Sequence, residues 1–205
     1  MTSKPKLAGL LLAAGASIRL GKPKQLVTFR SESLVKRAAR SLLTQTPNVF
    51  VVIGAEAAQV GQQLKGLPVR IVRNDDWQKG MASSIACGVS EVSEDFDGVL
   101  ILLCDQWRIA QKDLKELINV WKENPAIPVV ARWSGSYGSP AIFPHHLFDE
   151  LRHLQGDRGA KALVARQSEV HFVDMHNAQF DLDTRADLQF LLDSTQINTV
   201  LETNK

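Results

Sequence analysis

The residues Leu10 to Gln25, Leu-Leu-Leu-Ala-Ala-Gly-Ala-Ser-Ile-Arg-Leu-Gly-Lys-Pro-Lys-Gln, constrain the fold more than any other stretch. An uninterrupted apolar run reads as a strand buried on both faces, as in a parallel sheet covered by helices. It stops at a turn of small residues, where Gly15 and its alanine neighbours let a backbone approach a ligand with N–H groups free. Cations follow at Arg19, Lys22 and Lys24. Arg19 offers a planar fork for phosphate oxygens and Lys24 a mobile point charge. Small backbone and cations beyond a strand's carboxyl end suit a polyphosphate.

Spacing excludes two other phosphate loops. Gly15 and Gly21 have five residues between them, so no G-x-G-x-x-G dinucleotide fingerprint exists here. A P-loop needs four residues between the glycines and Ser or Thr after the lysine, where Pro23 stands.

Downstream, apolar runs alternate with helical periodicities. The expected order is strand Leu7–Leu12, a helix from about Ser33, strand Asn48–Ile53, helix Glu56–Leu64 and strand Val69–Val72. A helix Met81–Val89, the strong strand Gly98–Leu103 and a helix Gln111–Glu123 follow. This alternation predicts an α/β fold with a parallel sheet and right-handed crossovers. Ile127–Arg132, a turn at Gly135-Ser136-Tyr137-Gly138 and a return strand Ala141–Phe143 predict an antiparallel excursion beside it. Helices at His145–Leu154 and Ala160–Arg166, a strand Glu169–Val173 and a last helix Thr184–Leu192 complete the order. Thr184 with Asp187 has the spacing of a capping box.

At 205 residues the chain fits one domain, placed at 1–194, with a polar C-terminal tail at 195–205. A net charge of +2 gives no reason to expect a nucleic-acid or membrane surface. Phosphate recognition must therefore be local. Lys4 and Lys6 ahead of Leu7–Ala16 imitate a secretory signal, but that run is short and contains the strand on which the motif depends. Cys87 and Cys104, with no C-x-x-C pair, suit a reducing cytoplasm.

Ligands of open α/β sheets bind beyond the carboxyl ends of the strands. That rule gathers the Gly15 loop, the polar segment Arg73–Gly80 and Asp105, which follows the strongest strand. Asp105 could hold Mg²⁺, an ion that keeps its waters and takes phosphate oxygens. A second carboxylate could come from Phe180-Asp181-Leu182-Asp183, and Gly80–Ser84 could present helix N-terminal groups to a nucleotide. The histidines show no metal-ligand spacing. These residues point to a Mg²⁺-assisted enzyme acting on a nucleoside triphosphate, which needs phosphate-binding cations and an attacking oxygen in line.

Six ordered motifs carry a family resemblance: Leu12-Ala13-Ala14-Gly15-x-Ser17-x-Arg19-x-Gly21-x-x-Lys24; Asn74-x-x-Trp77-x-x-Gly80-Met81-x-x-Ser84-Ile85; Cys104-Asp105-Gln106; Gly138-x-Pro140; Gly156-Asp157-x-Gly159-Ala160; and Asp181-x-Asp183-Thr184-x-x-Asp187-Leu188. Together they resemble the MobA-like nucleotidyltransferases, and the later ones the molybdenum-cofactor cytidylyltransferase branch. The resemblance implies a three-layer Rossmann-like fold, mostly parallel with an antiparallel excursion. It implies transfer of CMP from CTP to molybdopterin with release of pyrophosphate. Leu12, Ala13, Ala14 and Gly15 would then read the base, while Arg19 and Lys24 would bind the triphosphate and work catalytically with Asp105. Asn74, Gly80 and Ser84 would complete the nucleotide site. Asp105 and Asp183 would ligate Mg²⁺, and Gly138, Pro140, Gly156, Asp157 and Gly159 would meet the acceptor. A molybdoenzyme or its chaperone would be the partner. The guanylyl branch tends to carry glycine at Ala14, whereas Trp107 and Arg185 stand where the family has proline. Alternatives in keeping with the residues are guanylyl transfer, transfer to a sugar or polyol phosphate, and a non-catalytic nucleotide-binding protein that delivers cofactor.

Overall fold

The structure, a computed structural model, describes residues 4–157 and 159–202, with side chains described as far as residue 194. The first apolar run forms β1, Leu7–Ala13, buried at every position. Its neighbours are β4 (Val49–Ile53) and β6 (Gly98–Leu103), both parallel to it. β5 (Arg70–Arg73) extends the sheet beyond β4. On the other side come β8 (Ser136–Pro144), β7 (Val129–Trp133) and β9 (His171–Asp174), so the seven strands run β5-β4-β1-β6-β8-β7-β9.

Successive side chains of a strand point to opposite faces, and the burial follows that rule. Leu11, Val51, Leu100 and Leu102 face helices α1 (Leu34–Leu43), α2 (Ala57–Leu64) and α4 (Gln111–Glu123). Leu10, Leu12, Val52 and Ile101 face α3 (Met81–Ser90), α5 (Phe148–Arg152) and α6 (Lys161–Arg166). The result is three layers. Fully buried leucines such as Leu10 and Leu11 each contribute about 1.5–3 kcal/mol through burial. On α3, Gly88 lets the helix settle on the sheet, because a Cβ there would lie 2.5 Å from Leu10 Cδ1.

Four details differ from the sequence expectation. The antiparallel excursion lies beside the parallel strands as expected, but it is the return strand β8 that joins them, sitting between β6 and β7 and pairing antiparallel with both. Its Ala141-Ile142-Phe143 segment is apolar enough to be buried on both faces. The hairpin turn sits at Ser134-Gly135, with Gly135 at φ +73, and Ser136 to Gly138 belong to the strand. A small unforeseen hairpin pairs β2 (Thr28–Phe29) with β3 (Glu32–Ser33) through Arg30 and Ser31, at φ 51 and 64. Positive φ at both central positions marks the turn that matches strand twist, usually announced by Asn-Gly, so Arg-Ser gave no signal. Finally, α7 runs from Arg185 to Glu202, beyond the expected end at Leu192; Arg158 of the Gly156–Gly159 loop and 203–205 of the expected tail lie outside the described residues.

A third apolar cluster fastens α7 to the rim of the sheet. At its centre Trp107 is buried, edge-on to Phe29 at 5.2 Å and to Phe190 at 6.0 Å, with Arg108 stacked at 4.8 Å. Trp107 therefore points into this packing, while Asp105, two residues earlier, lines the cleft. Trp107→Ala should lower stability by about 3 kcal/mol, since a large cavity remains. Urea denaturation checks this; an unmoved midpoint would show that the cluster does not hold the helix.

Candidate active site

The site lies at the carboxyl ends of β1 and β6, where adjacent parallel strands release their chains into loops. After β1 the chain curls through Ser17, whose φ is 57 and whose carbonyl accepts from the N–H groups of Leu20 and Gly21. The Ser17 hydroxyl accepts from the Lys24 N–H at 3.1 Å. Gln25, fully buried, anchors the curl from beneath: Nε2 donates to the Ala13 carbonyl at 3.0 Å and the Gly15 carbonyl at 2.6 Å. Sequence reasoning assigned Gln25 no role, because a glutamine after a Pro-Lys pair carries no periodic signal.

This curl aims Lys24 at the carboxylates. Its Nζ donates to Asp105 Oδ2 and, at 3.0 Å, to Asp183 Oδ1. Arg19 reaches Asp183 Oδ2 at 2.8 Å while its guanidinium stays largely in solvent. Lys24, Asp105, Asp183 and Arg19, spread over 165 residues of chain (19 to 183 inclusive), thus form one continuous charge network. Burial would lower the Lys24 pKa, but the Asp105 charge and hydrogen bond, helped by Asp183, hold it above the ordinary lysine range. Lys24 is a permanent cation here. Burial pushes the Cys104 thiol up, with Asp105 adding to the effect, so it is no nucleophile at neutral pH.

Asp183 is placed by the start of α7, where Asp187 Oδ2 accepts from the N–H of Asp183 at 3.1 Å and of Thr184 at 2.7 Å. The Asp187 N–H returns a bond to the Thr184 hydroxyl, so the expected capping box forms. The Leu182 N–H donates to the Asp105 carbonyl at 3.1 Å, stitching the two carboxylate-bearing segments together. Between them lies Asp181. Burial first, then Asp105 and Asp183, push its pKa up to about 7. Of the pair in Phe180-Asp181-Leu182-Asp183, only Asp183 was expected to act. The perturbation of Asp181 arises chiefly from burial and from Asp105, which is remote in sequence, with Asp183 adding to it, so no local pattern reveals it.

Residues 12–15, Arg19, Lys24, Gly80, Ser84, Asp105 and Asp183 line one open cleft of about 690 Å³. Asn74 does not line it; buried behind α3, it donates to the Ser83 and Ser84 hydroxyls, both at 3.0 Å. The α3 N-terminus is partly spent, because the Ala82 N–H donates to the Gly156 carbonyl and the Ser83 N–H to the Gly80 carbonyl. Gly80 has φ +99, and a Cβ there would collide with the Asp157 carboxylate. Asp157 can therefore lie against the start of α3, and it borders the cleft.

A second pocket of about 380 Å³ adjoins the cleft, sharing Leu12, Met81, Leu103 and Asp157 with it. Gly138, Asp157 and Gly159 line it, whereas Pro140 and Gly156 do not. Its walls are mostly apolar, with Trp133 and Tyr137 from the β7–β8 hairpin and Lys161 at its edge. Among the described residues, five buried side-chain oxygens lack a hydrogen-bond partner. Four of them belong to residues lining these spaces: Gln25 and Asp105 in the cleft, Gln106 and Asp181 in the pocket.

The orphaned Asp105 oxygen tests the fit of a divalent metal. Hard carboxylate oxygens from Asp105 and Asp183, already bridged by one cation, are a donor set that Mg²⁺ or Mn²⁺ accepts. Among the described residues no three His, Cys, Asp or Glu side chains form an ion-holding group. Such an ion would complete its shell with phosphate and water, as Mg²⁺ commonly does.

A sheet rim where cations and carboxylates meet in one cleft, with a second pocket alongside, on a mostly parallel three-layer sheet, fits the class of nucleotidyltransferases. Similarity to known proteins narrows it. The MobA-like NTP transferase domain matches residues 9–170, and the chain belongs to that family. It is 29% identical over 169 residues to the purine catabolism protein PucB of Bacillus subtilis, covering 78% of this chain and 81% of that one. It is 30% identical over 205 residues to a probable molybdenum cofactor guanylyltransferase of Rhodopirellula baltica, covering 93% and 94%. The nicotine blue oxidoreductase of Paenarthrobacter nicotinovorans is 40% identical over 107 residues, and the match spans only about half of each chain (51% and 52%). Among solved structures, Rv0371c of Mycobacterium tuberculosis superposes with a TM-score of 0.80 at 27% identity, covering 93% of this chain and 100% of that one. A second structure of Rv0371c, in complex with manganese, gives 0.75 at 26%, covering 93% and 100%.

Proposed function

We propose that this chain transfers CMP from CTP to the phosphate of molybdopterin, releasing pyrophosphate, with Mg²⁺ or Mn²⁺ at Asp105 and Asp183. The observation that carries this reading is the junction of two unlike spaces. A cleft ringed by Arg19, Lys24, Asp105 and Asp183 suits a triphosphate, and an apolar pocket with aromatic walls suits a flat, phosphorylated acceptor. An acceptor phosphate oxygen bonds to the α-phosphorus of the nucleotide, the bond to the β-phosphate oxygen breaks, and pyrophosphate leaves with that electron pair. Arg19 and Lys24, both lining the cleft, would neutralise the departing charge. A divalent ion, when bound, supplies Lewis-acid polarisation of the phosphate. Complexation of Rv0371c with manganese supports divalent metal use.

At the base end, Ala14 stands where the guanylyl branch tends to carry glycine, which supports CTP. The guanylyltransferase name of the Rhodopirellula relative favours GTP, which is the second reading. The free thiols Cys87 and Cys104 support a reducing cytoplasm, and no described helix is long and apolar enough to cross a membrane. A molybdoenzyme or its chaperone would receive the product. Pyrophosphate release measured with each of the four triphosphates, with and without molybdopterin, tests the reading. Release confined to CTP with molybdopterin is expected. Release with GTP selects the second reading, and binding without release under every condition leaves a delivery protein.

A further inference from the structure

Among the described residues that line the pocket beside the cleft, Lys161 is the one cation. Its place follows from the strands. β8 runs antiparallel to β6 with Ala141 opposite Ile101, so Tyr137 and Gly138 lie toward the rim where β6 ends and Asp105 follows. The Lys161 side chain is laid back over this rim. A Cβ on Gly138 would come within 3.6 Å of Lys161 Cε, and the ammonium stands 5.9 Å from the centre of the Tyr137 ring. Tyr137 and Gly138 both line the pocket. Lys161 is exposed, yet its stem is folded onto a pocket wall. Among the described residues no carboxylate pairs with its ammonium, whose one contact is the aromatic ring.

Charge balance says what such an ammonium can do. In the cleft, Arg19 and Lys24 are matched by Asp105 and Asp183, so those two cations are already engaged. A triphosphate adds more negative charge than one divalent ion removes. An acceptor whose nucleophile is a phosphate oxygen then approaches like charge, which costs free energy unless a further cation accompanies it. Asp157 and Asp181 line the same pocket and sharpen that need. An ammonium over a tyrosine face gives up little to meet it. The attraction of an exposed ring is weak, whereas a charge-assisted hydrogen bond to phosphate is among the strong ones.

We infer that Lys161 holds the anionic group of the acceptor at the rim of this pocket. The inference rests on the reading of the pocket as the acceptor site. It adds a binding residue that lies just beyond the Gly156–Ala160 motif. Lys161 thereby supplies a cation for the acceptor, separate from the charge network at Lys24.

Probes that carry no nucleotide test it without any transfer step. Wild-type protein, in chelator, is titrated by calorimetry with 2-naphthyl phosphate and with 2-naphthol. The phosphate should bind at least about tenfold more tightly, through a charge-assisted bond to the ammonium. Lys161→Met should shrink that ratio to about threefold or less, and Lys161→Arg should keep it. Lys115→Met on α4, at the opposite face of the sheet, should leave it unchanged. In pyrophosphate release with molybdopterin, Lys161→Met should raise the acceptor KM about tenfold and alter kcat less than about threefold, a split that a merely structural role would not give. Melting curves confirm that each variant folds, and the wild-type probe pair carries the test if one does not. Equal affinity for the two probes, no binding of either at millimolar concentration, or an unchanged ratio in folded Lys161→Met overturns the inference. A ratio lost in Arg19→Ala and kept in Lys161→Met overturns it as well, since the phosphate then sits in the cleft. Discrimination that depends on Lys161, without pyrophosphate release from any triphosphate, sinks the transfer reading alone. Release with an unchanged acceptor KM in Lys161→Met sinks this inference alone.

Discussion

Asp105→Ala should lower turnover by more than about 100-fold, equivalent to roughly 3 kcal/mol of lost transition-state stabilisation. Asp105 sits where the strongest strand of the sheet ends, with one oxygen bound to Lys24 and the other buried without a partner. The alanine variant loses both the anchor of the proposed divalent ion and the group that fixes the lysine. The fold should survive, because Lys24 keeps Asp183 at 3.0 Å and the β6 ladder depends on backbone alone. Steady-state pyrophosphate release, paired with a melting curve, separates the two effects. A near-normal rate in a folded variant would remove Asp105 from the site.

Lys24→Met should act on both activity and stability. The ammonium is buried against Asp105, and removing one partner of such a pair costs about 3–5 kcal/mol, because the other charge is left in a low-dielectric site. Turnover should also fall by about 100-fold or more through loss of the triphosphate cation. A third consequence separates Lys24 from a merely structural ion pair. The ammonium bridges the two carboxylates where a metal would be held, so its removal should tighten Mn²⁺ binding in the absence of nucleotide. Titration of Mn²⁺ followed by electron paramagnetic resonance reads this directly, and stability should recover as the ion binds. Unchanged or weaker Mn²⁺ affinity would show that ammonium and metal do not compete for one place.

That competition bears on how the site is filled. In the free protein Lys24 keeps Asp105 and Asp183 close together without leaving like charges unopposed. A triphosphate arriving with its own cation would offer the lysine new oxygens and the carboxylates a new partner. The charges are therefore exchanged, and none has to be newly buried.

Local chemistry announced much of this molecule. Leu10-Leu11-Leu12 running into Gly15 marked a doubly covered strand, Gly98–Leu103 running into Asp105 marked a second, and both runs end at the cleft. These readings succeeded because an apolar run and its abrupt end are properties of neighbouring residues. The Thr184–Asp187 cap was legible for the same reason. The insertion of β8 between β6 and β7 was not, since Ala141–Phe143 pairs with Ile101–Val99 about 40 residues away. The Arg30-Ser31 turn escaped notice because residues unsuited to positive φ are held there by the hairpin around them.

The amino-acid order alone determined the class of fold, the small-residue turn after β1 and the identity of the acid at the end of β6, because each depends on contacts within a few residues. Tertiary structure alone decided which charges meet. It set Lys24 between Asp105 and Asp183, moved Asn74 behind Ser84, and brought Gln106 and Asp181 to one pocket. The physical reason is that burial and electrostatic coupling depend on distance in space. Asp181 has an ordinary carboxylate in the unfolded chain, and it becomes a perturbed one only where folding removes its water and sets Asp105 beside it.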